Sequence, residues 1–430
     1  MGDKRLIEVD FPLKEVSEES LREKNIRHGH ISTLHIWWAR RPLAASRATT
    51  FAALVPAPKD RDELRKQLEF VAELSKWENS LNKRLIENAK KQIRDFFGGV
   101  PPKVLDCFAG GGAIPFEASR LGCVTYALEY NPVAVVILKA MLQYPQKFSK
   151  EKTEVTEGLH SVSNPFEEDV KKYGNRIIEE ARKEVGKFYP FDPDGSIPVG
   201  YIWARTVRCP NPSCSVEIPL LRQLWLAKKK KIALKILVDK KNKKIDFKLV
   251  REKDINFDPS EGTARKATAM CPVCGTGIDD DMMKKEAKEG RMGQRLIAVV
   301  LHGKKGKTYR IAKEADIEIF RKAADYFADK MNRLRYLMPD EEIPFELANS
   351  SLRFRHYNNA TWGSLFNARQ KLTLVTFLEK IREIMQQENI DDEYKKAIIT
   401  YLSLIFDNVS TSCNTLCRWE NTKELIADPF

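Results

Sequence analysis

The chain has 430 residues, with 73 Lys+Arg against 60 Asp+Glu, a net charge of +13 and eight cysteines. At 43% hydrophobic and 31% charged it is too apolar for a disordered chain, and it holds no apolar run of the roughly 18 residues that cross a bilayer. Its first sixteen residues mix acidic and basic side chains without an apolar segment, so no secretory signal is expected there. The expectation is therefore a cytoplasmic protein with no membrane partner, whose cysteines stay reduced, so that paired cysteines read as metal ligands. The length fits about three domains. The basic excess permits a polyanionic partner such as nucleic acid without requiring one.

In chain order, residues 1–99 read as a helical domain. Leu64, Leu68, Val71, Leu74, Trp77 and Leu81 recur at three and four residues, which predicts one amphipathic helix over 61–97. Gly98-Gly99 and Pro101-Pro102 stop it. Residues 100–148 then give a strand at 103–108, a glycine cluster, a helix at 113–121, a strand at 123–129 and a helix at 132–142 that starts on Pro132. Strand, glycine turn, helix, strand is the opening of a parallel α/β sheet. Residues 149–199 read as a helical connector. Residues 200–280 carry four cysteines and a β-hairpin, 231–239 with 244–250, joined by a polar turn. Residues 281–430 return to helices, clearest at 317–335, 367–387 and 392–408.

The most informative stretch is Asp106-Cys107-Phe108-Ala109-Gly110-Gly111-Gly112. Glycines let a backbone turn tightly and let a ligand approach where a Cβ would stand, and the helix that follows aims free N–H groups at it. Glu129, 23 positions after Asp106, ends the second strand, where a carboxylate accepts bonds from both hydroxyls of a ribose. A dinucleotide fingerprint needs a third glycine where Pro115 stands, and Asp106 is a poor neighbour for pyrophosphate. S-adenosylmethionine, which has no phosphate and carries ammonium and sulfonium charges, fits better. The competing reading is a strand–helix turn of another nucleotide-binding fold.

Cys209 and Cys214, with four residues between them, and Cys271 and Cys274, with two, form knuckle-like pairs. Four thiolates make a closed tetrahedral zinc site, structural because no position is left for water. The gap of 56 residues between pairs is long for a ribbon, and the hairpin inside it accounts for the length. The competing reading is four unrelated buried cysteines. Cys413 and Cys417 read as one face of a helix, and Cys107 and Cys123 as parts of the two buried strands. Lys229, Lys230 and Lys231 approach the hairpin; they read equally as phosphate contacts or as edge lysines that oppose aggregation.

Between 28 and 42 the chain places His28, His30, His35, Trp37, Trp38, Arg40 and Arg41 within fifteen residues. Taken one by one these are a helix start with tryptophans in the core. Taken together they offer rings for a base or an adenine and arginines for phosphates. No carboxylate or cysteine completes a metal set around the histidines.

The glycine stretch followed by Ala127-Leu128-Glu129-Tyr130-Asn131-Pro132 resembles motifs I and II of the amino-methyltransferases that modify adenine in DNA. The usual form there is Asp-Pro-Phe-Ala-Gly-Ser-Gly, so Cys107 and Gly111 depart from it. The string from His28 to Leu43 resembles the N-terminal domain of unknown function in predicted adenine-specific DNA methylases that contain a zinc ribbon, as does the later segment from Asn359 to Gln370. The resemblance spans most of the chain. It implies an α/β fold: an incomplete class I, Rossmann-like S-adenosylmethionine methyltransferase core, with an N-terminal helical domain and a β-rich zinc-ribbon insertion. It implies that Asp106, Phe108, Ala109, Gly110 and Gly112 shape the methionine end of a cofactor pocket, with Glu129 and Tyr130 at the ribose. Thr33 and Trp37 would close that pocket, and Arg40 and Arg41 would line the DNA path. A protective role in a restriction or phage-defence system belongs to the same implication.

Such an enzyme also needs Asp/Asn-Pro-Pro-Tyr/Phe, whose polar groups accept bonds from the target amine and whose ring stacks on the flipped base. Asn164-Pro165-Phe166 and Asp428-Pro429-Phe430 each lack one proline. The catalytic residues are therefore unassigned. The expectation is the cofactor-binding N-terminal part of a longer or split DNA adenine-N6 methyltransferase, its catalytic strand downstream or on a second polypeptide. An RNA methyltransferase and a non-catalytic nucleic-acid-binding subunit are the alternatives.

Overall fold

The computed structural model describes residues 4–26, 29–149, 152–156, 159–334, 338–344 and 360–428. His28 and Asn359 of the two signature segments, Arg335 at the end of an expected helix, and Pro429 and Phe430 lie outside them. The chain divides into two units, Met1–Gly174 with Glu388–Asp407, and Asn175–Gln387 with Asn408–Phe430. Both mix helix and sheet.

The first unit opens with α1 (Leu6–Val9), α2 (Leu13–Glu23), α3 (Leu43–Leu54), α4 (Arg61–Ser75) and α5 (Lys83–Phe96). The helix expected over 61–97 is thus two helices. Asn79 bonds the carbonyl of Glu73 through its side chain, and Asn82 caps α5 by accepting from the Leu85 N–H, so each asparagine competes with continuation of the helix. Trp77 leaves the stripe to stack on His30, and Leu81 is exposed. Gly98 and Gly99, both at positive φ, end α5, and the Gly99 N–H bonds the Arg94 carbonyl. Strand β1 (Lys103–Asp106), α6 (Ala113–Arg120), β2 (Val124–Ala127) and α7 (Pro132–Leu138) follow. The two strands pair in parallel, from Lys103 opposite Val124 to Asp106 opposite Ala127. One core joins helices and strands: Phe51, Val71, Leu74 and Ile93 pack with Ala118, Leu121 and Cys123. Within it the buried pair Arg47–Glu117, 3.6 Å apart, links α3 to α6.

The two strands are less buried than the sequence implies. One face of the pair is open: Leu105 is 62% exposed and Tyr126 50%, and Cys107 and Phe108 just beyond β1 are exposed too. Cys123 alone of the two cysteines is buried, because the other face is covered by α6 and the helical domain.

The second unit is built on an antiparallel sheet. Its strands are β5 (Ile197–Arg208), β6 (Glu217–Leu220), β13 (Gly293–Gly303) and β14 (Gly306–Ile311), in the order β14-β13-β5-β6. A hairpin β3 (Lys152–Thr156) and β4 (Leu159–Ser163) precedes them in the chain. The region expected to be a helical connector therefore contributes strands, and so does 281–430. Leu296 to Leu301 is a continuous apolar run with no period to separate a buried strand from a helix, which is why β13 was not legible. Beside this sheet lie β7 (Trp225–Ala227), β8 (Ile232–Asp239) and β9 (Lys244–Arg251), the last two forming the expected hairpin in full register. A small sheet of β10 (Ala264–Arg265), β11 (Thr268–Met270) and β12 (Gly277–Ile278) carries the second cysteine pair. The unit also holds the helix Glu314–Met331, the helix Ala368–Gln387 and the pair β15 (Arg418–Glu420) with β16 (Leu425–Ala427). The helix Asp392–Ser412 ends before Cys413, so Cys413 and Cys417 lie in the turn beyond it rather than on its face.

Candidate functional site

Three stretches remote in sequence meet at the glycine turn of the first unit. Gly110 and Gly112 hold φ of +50° and +77°, which side chains rarely adopt. A Cβ on Gly112 would press on the Met141 Cε and stand 2.8 Å from a Leu138 methyl, so glycine lets the turn seat closely against α7 and the turn after it. On the other side lies Trp37: a Cβ on Gly110 would be 2.7 Å from its Nε1, and one on Gly111 3.1 Å from its Cδ1. The indole of the N-terminal signature therefore covers the glycine cluster and stacks on Trp38, ring centroids 5.6 Å apart.

Glu129 stands across the same turn. One carboxylate oxygen accepts from the Gly110 N–H at 2.7 Å; the other accepts from Tyr130 at 2.8 Å and Asn131 at 3.1 Å. The N–H groups of Asn131, Gly110 and Tyr130 hold its pKa below the ordinary carboxylate value. Three of roughly four lone-pair directions are thus engaged, and the side chain serves first as a clasp on the turn. Asp106 accepts from the Phe108 N–H at 3.2 Å. Ala109 is buried, bonding its N–H to the Leu128 carbonyl, while Phe108 and Tyr130 project into solvent.

The rest of the signature is anchored by a group that the sequence did not single out. Glu23, at the end of α2, bonds His30 Nε2 at 2.7 Å and the N–H groups of Leu43 and Ala44 at 2.9 Å each. It ties the start of the 31–41 loop to the first turn of α3. Its only sequence signal is its place on the buried stripe of α2, seven residues after Val16. Thr33 donates its hydroxyl to the His30 carbonyl, at 2.7 Å. Arg40 lies 3.4 Å from His30 Nδ1, His35 pairs with Asp407 at 3.4 Å, and Arg41 is exposed. His30 and His35 are thus committed to carboxylates separately rather than gathered at one point.

The cysteines form the second constellation. Cys209 and Cys214 bracket the tip joining β5 to β6; Cys271 and Cys274 bracket the tip joining β11 to β12. The four sulfurs lie within 4.8 Å of one another, with Cys209–Cys274 at 3.5 Å and Cys214–Cys271 at 3.8 Å. A tetrahedral ion with Zn–S near 2.3 Å sets sulfurs about 3.8 Å apart, so the cluster is compatible with zinc. Gly275, at φ +77°, closes the second knuckle with its N–H on the Cys271 carbonyl. Burial pushes the Cys209 thiol up to about 12, whereas the Thr276 hydroxyl and N–H bring Cys274 down to about 6.

Lys229, Lys230 and Lys231 lie in the exposed turn between β7 and β8, where Lys230 bonds the Lys307 carbonyl at 3.1 Å and Glu424 at 2.9 Å. Asn164 is the start of a helix, its side chain accepting from the Phe166 N–H, and Phe166 is buried among Phe148, Tyr394 and Tyr401. Asp428 accepts from the Ser412 hydroxyl. Among the described residues no helix is long and apolar enough to cross a membrane.

Compared with known proteins, the family described as "Protein of unknown function (DUF1156)" matches residues 10–80, which contain Glu23 and the His30–Arg41 segment. No curated protein and no solved structure shows a significant match.

Proposed function

We propose that the chain is the cofactor-binding part of an S-adenosylmethionine-dependent DNA adenine-N6 methyltransferase. One observation carries the reading: Trp37 and Glu129 both meet the glycine turn at Gly110. A ring, a glycine turn at a helix start and a carboxylate at the end of the neighbouring parallel strand are the parts that hold an adenosine. Asp106 would hold the cationic methionine end, Glu129 with its remaining acceptor capacity would hold the ribose, and Trp37 would exclude water. When bound, S-adenosylmethionine supplies an electrophilic methyl group, and the protein contributes chiefly position. Parallel strands are normally covered on both faces. The open face of β1 and β2, with Leu105 and Tyr126 exposed, fits a core whose other strands, bearing the amine-binding motif, complete it. Zinc in the four-cysteine cluster is structural, and the reducing cytoplasm suits it. One observation favours a second reading, a nucleic-acid-binding subunit without catalysis: Asn164-Pro165-Phe166 is spent on a helix start and an aromatic core.

Calorimetric titration with S-adenosylmethionine tests the pocket. The expected result is saturable binding, weakened about tenfold or more in Glu129→Ala and in Trp37→Ala. Absence of binding, or unchanged affinity in both variants, overturns the reading. Methyl transfer assayed on duplex DNA and on structured RNA separates the substrates; transfer by this chain alone eliminates the non-catalytic reading.

A further inference from the structure

A second concave site lies wholly within the unit Asn175–Gln387 with Asn408–Phe430. It is a cleft of about 780 Å³ bordered by β5, the start of the helix Ala368–Gln387, the turn after Ser412 and β15. That volume lies in the range of about 300–1,000 Å³ that small-molecule sites occupy. Among the described residues its wall contains four arginines, Arg205, Arg222, Arg369 and Arg418, and no lysine, aspartate or glutamate. Arg369 is 4% exposed, its guanidinium 3.7 Å from the centre of the Tyr201 ring and 5.0 Å from that of Tyr189. Burying a cation in a wall without acids makes the cleft attractive to an anion.

The other wall groups are planar. Tyr189, Tyr201, Trp203, Phe366 and Trp419 all face the cleft. The Tyr189 hydroxyl is paired with Thr373 at 2.8 Å, and Trp419 donates its Nε1–H to the Leu226 carbonyl at 2.7 Å. These two residues therefore offer ring surface rather than free donors, which suits a flat ligand. Asn367 and Gln370 close the start of the long helix by reciprocal bonds to each other's N–H, at 2.9 and 3.0 Å, so its positive end borders the cleft. Gln294, exposed on β13, adds an amide with both a donor and an acceptor for a base edge.

We propose that this cleft binds a nucleotide: the base against the tyrosine and tryptophan rings, with Gln294 at its edge, and the phosphate toward Arg418, Arg205 and the helix start. The segment from Trp362 to Gln370, singled out in the sequence without an assigned task, supplies part of its wall. The nucleotide is either free or one unit of a single strand. The site shares no residue with the glycine turn, and the inference does not depend on the cofactor reading.

The test is calorimetry on the full chain with dAMP, a short single-stranded oligodeoxynucleotide and inorganic phosphate. Arg418→Glu and Gln294→Glu, both at exposed positions, are compared with the parent after circular dichroism confirms an unchanged fold. The expected result is dAMP binding at least about tenfold tighter than phosphate, and weakened about tenfold or more in either variant. An oligodeoxynucleotide that binds more tightly and displaces dAMP assigns the cleft to a strand; equal affinity assigns it to the free nucleotide. No binding of either, dAMP no tighter than phosphate, or unchanged affinity in both variants overturns the proposal. Titrating Arg418→Glu with S-adenosylmethionine keeps the two sites apart: failure of the cofactor reading removes that signal from variant and parent alike and leaves the dAMP comparison intact.

Discussion

Glu23 shows how a residue distant from the glycine turn shapes it. It is 3% exposed, yet it holds three hydrogen bonds that fix both ends of the loop carrying Trp37. Burial by itself raises its pKa; the His30 bond and the N–H groups of Ala44 and Leu43 outweigh burial and hold it below its ordinary 4.5. A carboxylate depressed on folding stabilises the protein above its unfolded pKa, and that stabilisation is lost as pH falls through the folded value. Denaturant titrations over a pH series should therefore show the parent losing stability below about pH 4.5, with Glu23→Gln following a flatter acid limb. At neutral pH the variant should be less stable by about 2 kcal/mol, the scale of hydrogen bonds to a buried charge. An acid limb as steep in the variant as in the parent would show that Glu23 carries none of this linkage.

At the scale of elements, the two cysteine knuckles explain why short strands hold their places. β11 and β12 are three and two residues long, too little to persist by ladder bonds alone. A metal held by the four clustered cysteines would tie them to β5 and β6, across the 56-residue gap. Elemental analysis of protein purified without chelator should find about one zinc per chain. Cys271→Ser should fall well below that and melt about 10 °C lower, the shift that a few kcal/mol makes in a unit of this size. Full zinc content in the variant would rule out Cys271 as a ligand. These knuckles were legible in the sequence because each pair is local and its turn chemistry is written in the residues between. The β8–β9 hairpin and the glycine turn with Glu129 were legible for the same reason. What escaped depends on contacts far along the chain. The break between α4 and α5 comes from Asn79 and Asn82 turning their side chains to the backbone and from Trp77 finding His30, and the sheet of β13 and β5 pairs strands nearly a hundred residues apart. Trp37 on the glycine turn and Glu23 beneath its loop are likewise tertiary facts, written in no local period.

For the whole molecule, a net charge of +13 is informative only where the cations are free to act. Lys230 is already engaged with Glu424 and the Lys307 carbonyl, so its ammonium pins the β7–β8 turn, whereas Lys229 and Lys231 on the same turn are exposed. Lys231 sits at φ +50°, where asparagine is tolerated better than most residues. If this turn meets duplex phosphates, each lysine contributes about 0.9 to the slope of log affinity against log salt. The double variant Lys229→Gln, Lys231→Asn should then lower the magnitude of that slope by about 1.8 in a fluorescence titration with duplex DNA at several salt concentrations. Lys230→Gln should instead leave the slope close to the parent's and cost under about 1 kcal/mol of stability, because a half-exposed ion pair contributes little. A slope unchanged by the double variant would return these lysines to the other role open to them, keeping the hairpin from pairing with a second chain. The comparison separates the two because edge protection affects solubility and not counterion release, so a variant that aggregates sooner yet keeps the parent's salt slope identifies the turn as a guard rather than a contact.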